Sequence, residues 1–198
     1  MSPEEVDEFN KKLFEKMKNS TWPYGLCRIE NYSDFISRKD LLDIMKRFSS
    51  EEVFPEKKKR FNARGKKITD REKKNILENC DFKKLKSKNK NKVKIGIVIE
   101  RANLRAFPTD TVFAEAPDNF DNDYFQLTGL PVYTPVAILH KSKDKKWNYI
   151  QSQIYCGWIK NKKIAQISKK ELKSFINPEK YLTVTDSKVK TEPNPFIP

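Results

Sequence analysis

From Val93 onward the apolar residues of this chain repeat with a period of two: Val93, Ile95, Ile97 and Ile99 alternate with Lys94, Gly96, Val98 and Glu100. Alternation of this kind places successive side chains on opposite sides of an extended backbone, so the segment is expected to be a strand with one buried face. Short strand candidates follow at "NLRAF", "VYTPVAILH", "WNYIQS", "IYCGWI" and "KKIAQI", separated by the turn-rich segments "PTD", "APDNFDND" and "KSKDKK". Short strands at this density predict a small antiparallel barrel over residues 93–167.

Before residue 93 the period is that of a helix. Ser2-Pro3-Glu4-Glu5 supplies a cap, a proline for the first helical position and a glutamate that bonds back to the cap. Val6, Phe9, Leu13 and Met17 then form one apolar stripe, which "TWPYGL" at 21–26 interrupts. Ser37 caps a second helix ahead of Leu41, Leu42, Ile44, Met45 and Phe48, and Thr69 with Glu72 makes a capping box for a third containing Ile76 and Leu77. "PEKKKRFNARGKK" between them lacks periodicity and is expected to be an exposed loop. Ser168 and Glu171 repeat the capping box before Leu172, Phe175 and Ile176, "YLTVTD" reads as one more strand, and "KTEPNPFIP" reads as a linker. The expected class is therefore α+β: a helical region over 1–92, a barrel over 93–167, and a short helix, strand and Pro-rich linker over 168–198. The first of these alone has a thin core and is expected to pack on something else.

The net charge of +14 arises from 33 lysines and 8 arginines against 27 acids. Attraction to anionic partners follows from that charge, but arginine, whose planar fork reads phosphates and bases, is scarce. A solvated lysine-rich surface is favoured over a dedicated nucleic-acid patch. No run of about 18 apolar residues is present, and "MSPEEVDEFN" lacks the basic start and apolar centre of a signal peptide. Cys27, Cys80 and Cys156 form no C-x-x-C pair, and His140 is the single histidine. Neither a disulfide framework nor a zinc site is expected, and no cofactor is implied.

"YCGW" around Cys156 resembles a cysteine-peptidase signature only superficially: a thiol nucleophile requires a base and a group to orient it, and only His140 is available. Asp118, Asp121 and Asp123 lack the glycine and distal glutamate of an EF-hand and read as a polar turn. Along "WNYIQ" Trp147, Tyr149 and Gln151 share one face, and along "IYCGW" Ile154, Cys156 and Trp158 share one, so these aromatics divide between core and surface.

Residues 101–110, "RANLRAFPTD", together with 121–159, "DNDYFQLTGLPVYTPVAILHKSKDKKWNYIQSQIYCGWI", resemble the bacterial SH3-like domain of NlpC-type cell-wall peptidases. The resemblance lies in an arginine pair before Phe-Pro-Thr, an Asp and then a Gln ahead of a Pro-Val strand, an Asp-x-x-Trp-x-Tyr strand, and Tyr-x-Gly-Trp. "FN" at 9–10, the Ser-led second helix and "ITDREKKNILENC" are similar to the region preceding that domain in the family, and Trp22 is expected at the interface between the two. In such enzymes a second SH3-like domain and a papain-like catalytic domain follow. The chain stops before those parts and lacks an Asp-Cys-Ser-Gly type segment, so no catalytic residue is carried over.

What the resemblance implies is a noncatalytic, wall-associated bacterial module that lines one edge of a substrate groove. Arg105 with Arg101, Phe107, Pro108 and Thr109, then Asp123, Tyr124, Phe125 and Gln126, then Asp144, Trp147 and Tyr149 match its motifs. Tyr155 and Trp158 complete the expected ligand-binding set. Implied partners are a peptidoglycan stem peptide or an anionic wall polymer and the catalytic domain of the parent enzyme. A single-stranded nucleic-acid-binding barrel and a self-sufficient cysteine hydrolase are the alternatives.

Overall fold

The computed structural model describes residues 2–18, 29–46, 59–85, 91–119, 121–153 and 155–180. Helices form where the caps specify them. α1 (Pro3–Lys18) begins with Ser2 Oγ accepting the Glu5 N–H at 3.3 Å while Glu5 Oε2 accepts the Ser2 N–H at 2.7 Å. α2 (Arg38–Lys46) begins with Ser37 Oγ accepting the Asp40 N–H. Full capping boxes at Thr69/Glu72 and Ser168/Glu171 start α3 (Asp70–Asn79) and α4 (Lys169–Ile176). Val6, Phe9 and Leu13 of α1 remain 38–56% exposed, so their stripe is uncovered among the described residues. Residues 21–26, Trp22, Phe48, "YLTVTD" and the proline-rich tail lie outside the described residues.

A two-stranded ribbon pairs β1 (Phe35–Ile36) with β2 (Asn91–Lys92). The main sheet contains β3 (Lys94–Val98), β4 (Ala102–Arg105), β5 (Gln126–Leu130), β6 (Pro135–Lys141), β7 (Trp147–Gln151), β8 (Cys156–Lys160) and β9 (Ile164–Ile167), in the spatial order β5-β4-β8-β7-β6-β3-β9. All its pairings are antiparallel. The class is α+β, as expected, but the sheet does not close into the expected barrel: β5 and β9 each have one neighbour. Inside the sheet, β4 meets β8 through the single registered pair Arg105↔Trp158, a narrow joint. β5, "QLTGL", carries no apolar alternation, and its strand state comes from pairing with β4.

Both faces of the sheet are buried, which corrects the one-face expectation for β3. Ile95 joins a first layer with Trp158, Tyr149 and Leu139, packed under Leu41 and Met45 of α2 and Ile76 of α3. Val98 joins a second, aliphatic layer with Leu104, Val136, Ile150 and Ile159. β3 ends at Val98, so Ile99, expected on its apolar face, is exposed. The first layer contains residues from both sides of position 92/93, so helices and sheet share a core. Large side chains such as Trp158 and Tyr149 each contribute about 1.5–3 kcal/mol by leaving water.

Polar ties fix the helical region to the sheet. Asn79, the last residue of α3, donates from Nδ2 to Pro108 O at 2.8 Å, accepts the Asp144 N–H at Oδ1 and accepts the Lys143 N–H at its carbonyl. Tyr149 donates its hydroxyl to Ile44 O at 3.4 Å. The segment expected to be an exposed loop is in part pinned: Phe61 bridges Lys67 and Ala114, and Arg60 is buried beneath Tyr124 with its guanidinium 4.6 Å from that ring centroid.

Candidate functional site

Two neighbouring hollows gather most of the residues singled out in the sequence. One, of about 690 Å³, is lined by Arg101, Arg105, Asp121, Asp123, Gln126 and Lys160 among others. The other, of about 650 Å³, lies where α3 faces the 108–111 loop and the turn after β6, and includes Asn79 and Asp144. Trp147 and Asp110 line both. A third hollow over Asp121–Gln126 takes in Tyr124.

Arg105 is held by tertiary structure before any ligand is considered. Its Nη2 lies 2.8 Å from Asp123 Oδ2 and donates to Thr111 O at 2.8 Å, and its side chain is almost wholly buried. Asp123 uses its other oxygen, Oδ1, to accept the backbone N–H groups of Phe113 and Phe125, each at 3.0 Å. The pair clasps the long β4–β5 connection against the sheet. Removing either partner leaves a buried charge, which typically costs about 3–5 kcal/mol. Phe113 stacks on Phe125 at 4.3 Å beneath this clasp, and Phe107 packs on the same ring.

The remaining cleft charges differ. Lys160 pairs with Asp110 at 2.8 Å and sits 5.5 Å from the Trp147 ring centroid, and Lys163 is bonded to Glu100. Arg101 and Asp121 line the same cleft, are exposed, and have no ion pair among the described residues. The cleft thus offers one cation and one carboxylate to a ligand. Gln126 donates from Nε2 to Thr128 O, which fixes its amide at the wall.

Asp144 stands on the turn between β6 and β7. Burial works against its ionisation, but hydrogen bonds from Ser142, the Lys146 N–H and Asn79 outweigh that and hold its carboxyl below the usual range. Tyr124 donates its hydroxyl to Glu115, whose carboxylate raises the phenol's pKa.

The aromatic set separates. Tyr149 and Trp158, expected to contact ligand, lie 1% exposed in the first core layer with their rings 5.4 Å apart, so neither is open to one. Their strand parity points them toward α2 and α3. Trp147 is also buried, but one edge reaches both clefts. Tyr155 is half-buried against the aliphatic layer. Phe107 and Phe125 are core residues.

Cys156 is 2% exposed, with its thiol donating to Gln151 Oε1 at 2.6 Å. His140 Nε2 donates to Cys80 O at 3.0 Å, and burial lowers the imidazole's pKa. Burial likewise pushes the Cys80 thiol up to about 12. Neither Cys80 nor Cys156 is in a disulfide. Among the described residues no three His, Cys, Asp or Glu side chains converge as metal ligands, and no helix is long and apolar enough to cross a membrane.

Sequence reasoning missed Asn79, Asp110 and Asp121 as cleft residues. Periodicity carries no trace of them, because they come from a helix end and from loops brought together by tertiary contacts. Arg101 was visible as the first of an arginine pair, but nothing in the sequence distinguishes the exposed arginine from the buried one.

Residues 112–160 match the family of the SH3 domain (SH3b1 type). A solved structure of a novel NlpC/P60 endopeptidase from Photobacterium damselae subsp. piscicida resembles this chain with a TM-score of 0.60 at 22% identity, over 84% of the chain. The chain spans 39% of the length of that protein. No curated protein matches it. The SH3-like part is therefore present over 112–160, which takes in the motifs at 121–159 and not those at 101–110, and this span contains the clasp residue Asp123 and the cleft residues Asp121, Gln126, Trp147 and Lys160.

Proposed function

We propose that the chain is a noncatalytic accessory module of a bacterial cell-wall hydrolase of the NlpC type, which holds a peptidoglycan stem peptide in the Arg101–Asp121 cleft. The observation that carries this reading is the charge of the cleft formed between the SH3b1-type span and the residues 101–110 that pack on it: its other ions are paired, and one guanidinium and one carboxylate are left to meet a ligand bearing both an acid and an amine. A peptide with free carboxylates and amines has that chemistry. The similar solved structure is an NlpC/P60 endopeptidase more than twice this length, consistent with a catalytic domain as partner and with a wall-associated location.

The two alternatives have less support. Cys156 lies in the core with its thiol bonded to Gln151. A single-strand binder stacks bases on exposed aromatics, whereas Tyr149 and Trp158 are buried.

The test is co-sedimentation of the purified chain with insoluble peptidoglycan at low salt. Binding is expected, with Arg101→Ala lowering it about tenfold while thermal stability is unchanged. A chain that stays in the supernatant, or an Arg101→Ala variant that binds as well as the parent, sinks the reading. Muropeptide digestion by the chain is expected to show no turnover, and cleavage that disappears in Cys156→Ala would establish the hydrolase alternative.

A further inference from the structure

A smaller cavity, of about 360 Å³, shares no lining residue with the two clefts above. Lys92, Lys94, Lys141, Asn148, Asn161 and Gln166 give it its polar lining, Ile138 and Ile164 are apolar members, and it contains no Asp or Glu. Strand register explains the gathering. Lys94 lies opposite Ile138, Gly96 opposite Gln166, and Lys141 opposite Asn148, and cross-strand partners share a face. The face is that of the aliphatic layer, whose polar end this cavity forms.

Two features favour an anion here, and a third suits a hydroxyl beside it. Lys94 and Lys141 have no ion pair among the described residues, and Asp34, the acid that feels the charge of Lys92, is already bonded to Lys169 at 2.6 Å. Asn148 is 2% exposed and donates from Nδ2 to Asn161 Oδ1 at 2.8 Å; its own Oδ1, an acceptor with no hydrogen-bond partner among the described residues, suits a hydroxyl donor next to the phosphates. The cations are all lysines: point charges that suit a phosphate approached from several sides, without the planar fork that matches a carboxylate.

We propose that this lysine cavity is an anion site that takes the phosphate groups of a linear, base-free phosphate polymer. No Phe, Tyr or Trp lines it, and its one ring, that of His140, is bonded to Cys80 O and stands edge-on to Trp158 in the first core layer, so the cavity has no open platform on which a base would stack. Its solvent-facing lysines suit a chain of repeating charges, and the Asn and Gln amides suit hydroxyls between them. The site is independent of the peptide cleft, so either can fail alone.

The experiment compares inorganic phosphate, polyphosphate and oligodeoxythymidylate as ligands of the full chain by calorimetry, at low and moderate salt. Polyphosphate is expected to bind, and Lys94→Gln with Lys141→Gln to weaken it at least tenfold and flatten the salt dependence by about 1.5 in the log–log slope. Lys143→Gln with Lys146→Gln, which removes the same charge beside the α3 cleft, is expected to cost less than threefold. Should the first pair destabilise the fold, the single exposed change Lys92→Gln is expected to weaken binding about threefold. Absence of polyphosphate binding, equal losses in both pairs, inorganic phosphate binding as tightly as polyphosphate, or tighter binding of oligodeoxythymidylate would each overturn the proposal.

Discussion

The two faces of the main sheet are built from the same strands and finished in opposite ways. One face turns Tyr149, Trp158 and Leu139 toward α2 and α3 and is sealed by helices. The other turns Ile150, Ile159 and Val136 into an aliphatic layer that ends in lysines and amides. Along β7 a shift of one residue, from Tyr149 to Asn148, moves a side chain from the sealed face to the open-ended one. Both layers are buried, and the first face is covered by helices where the second runs out into polar side chains at its end.

The largest blow to that contrast is Trp158→Ala. Truncating a wholly buried tryptophan between His140 and Tyr149 is expected to cost about 3–5 kcal/mol, read as a lower midpoint in denaturant. A loss below about 1 kcal/mol would mean that the helices do not seal this face. Gly157→Ala probes the other face. An added Cβ would meet Leu104 Cγ at 2.8 Å and Arg105 O at 2.9 Å, so about 1–3 kcal/mol of destabilisation is expected. Gly129→Ala, whose Cβ would find only the Arg101 guanidinium at 3.7–3.8 Å, is its near-neutral control. Equal effects would show that the β4–β8 joint is loose.

The smallest effect comes from pH. His140 lies between the sheet and α3, and burial depresses its pKa despite the Cys80 carbonyl and the nearby Asp81, while Lys84 adds to the depression. The unfolded chain therefore binds more protons near neutrality. Stability is full above the unfolded histidine pKa of about 6.5 and declines as pH falls from there toward the lowered folded value. A His140→Gln variant, which keeps a donor for Cys80 O, is expected to flatten the melting temperature between pH 7 and 5. An unchanged slope would place the titration elsewhere.

How much of this was legible depended on how local each signal is. The caps at Ser2, Ser37, Thr69 and Ser168 lie within three residues of what they bond, and each helix begins there. Strand parity is equally local, so the division of Trp147 and Tyr149 from Asn148 and Ile150 was readable. What covers each face was not, because α2 meets β8 across more than a hundred residues. The same limit hid the double role of Arg105 and Asp123: their motif suggested a groove, and its chief contribution is a clasp for the β4–β5 connection. Arg60, in a segment that reads as loop, is buried by Tyr124 and Phe113 from a distant stretch.

The tie between Lys169 and Asp34 joins parts of the chain made at very different times. Lys169, the first residue of α4, donates to Tyr32 O at 2.7 Å and pairs with Asp34 at 2.6 Å across 137 and 135 residues of chain. During synthesis at about 5–20 residues per second, the Tyr32 segment waits on the order of ten seconds before that lysine exists. The Tyr32–Asp34 segment is therefore made early and tied late, after all the strands of the main sheet, which lie between it and Lys169 in the chain, have been made.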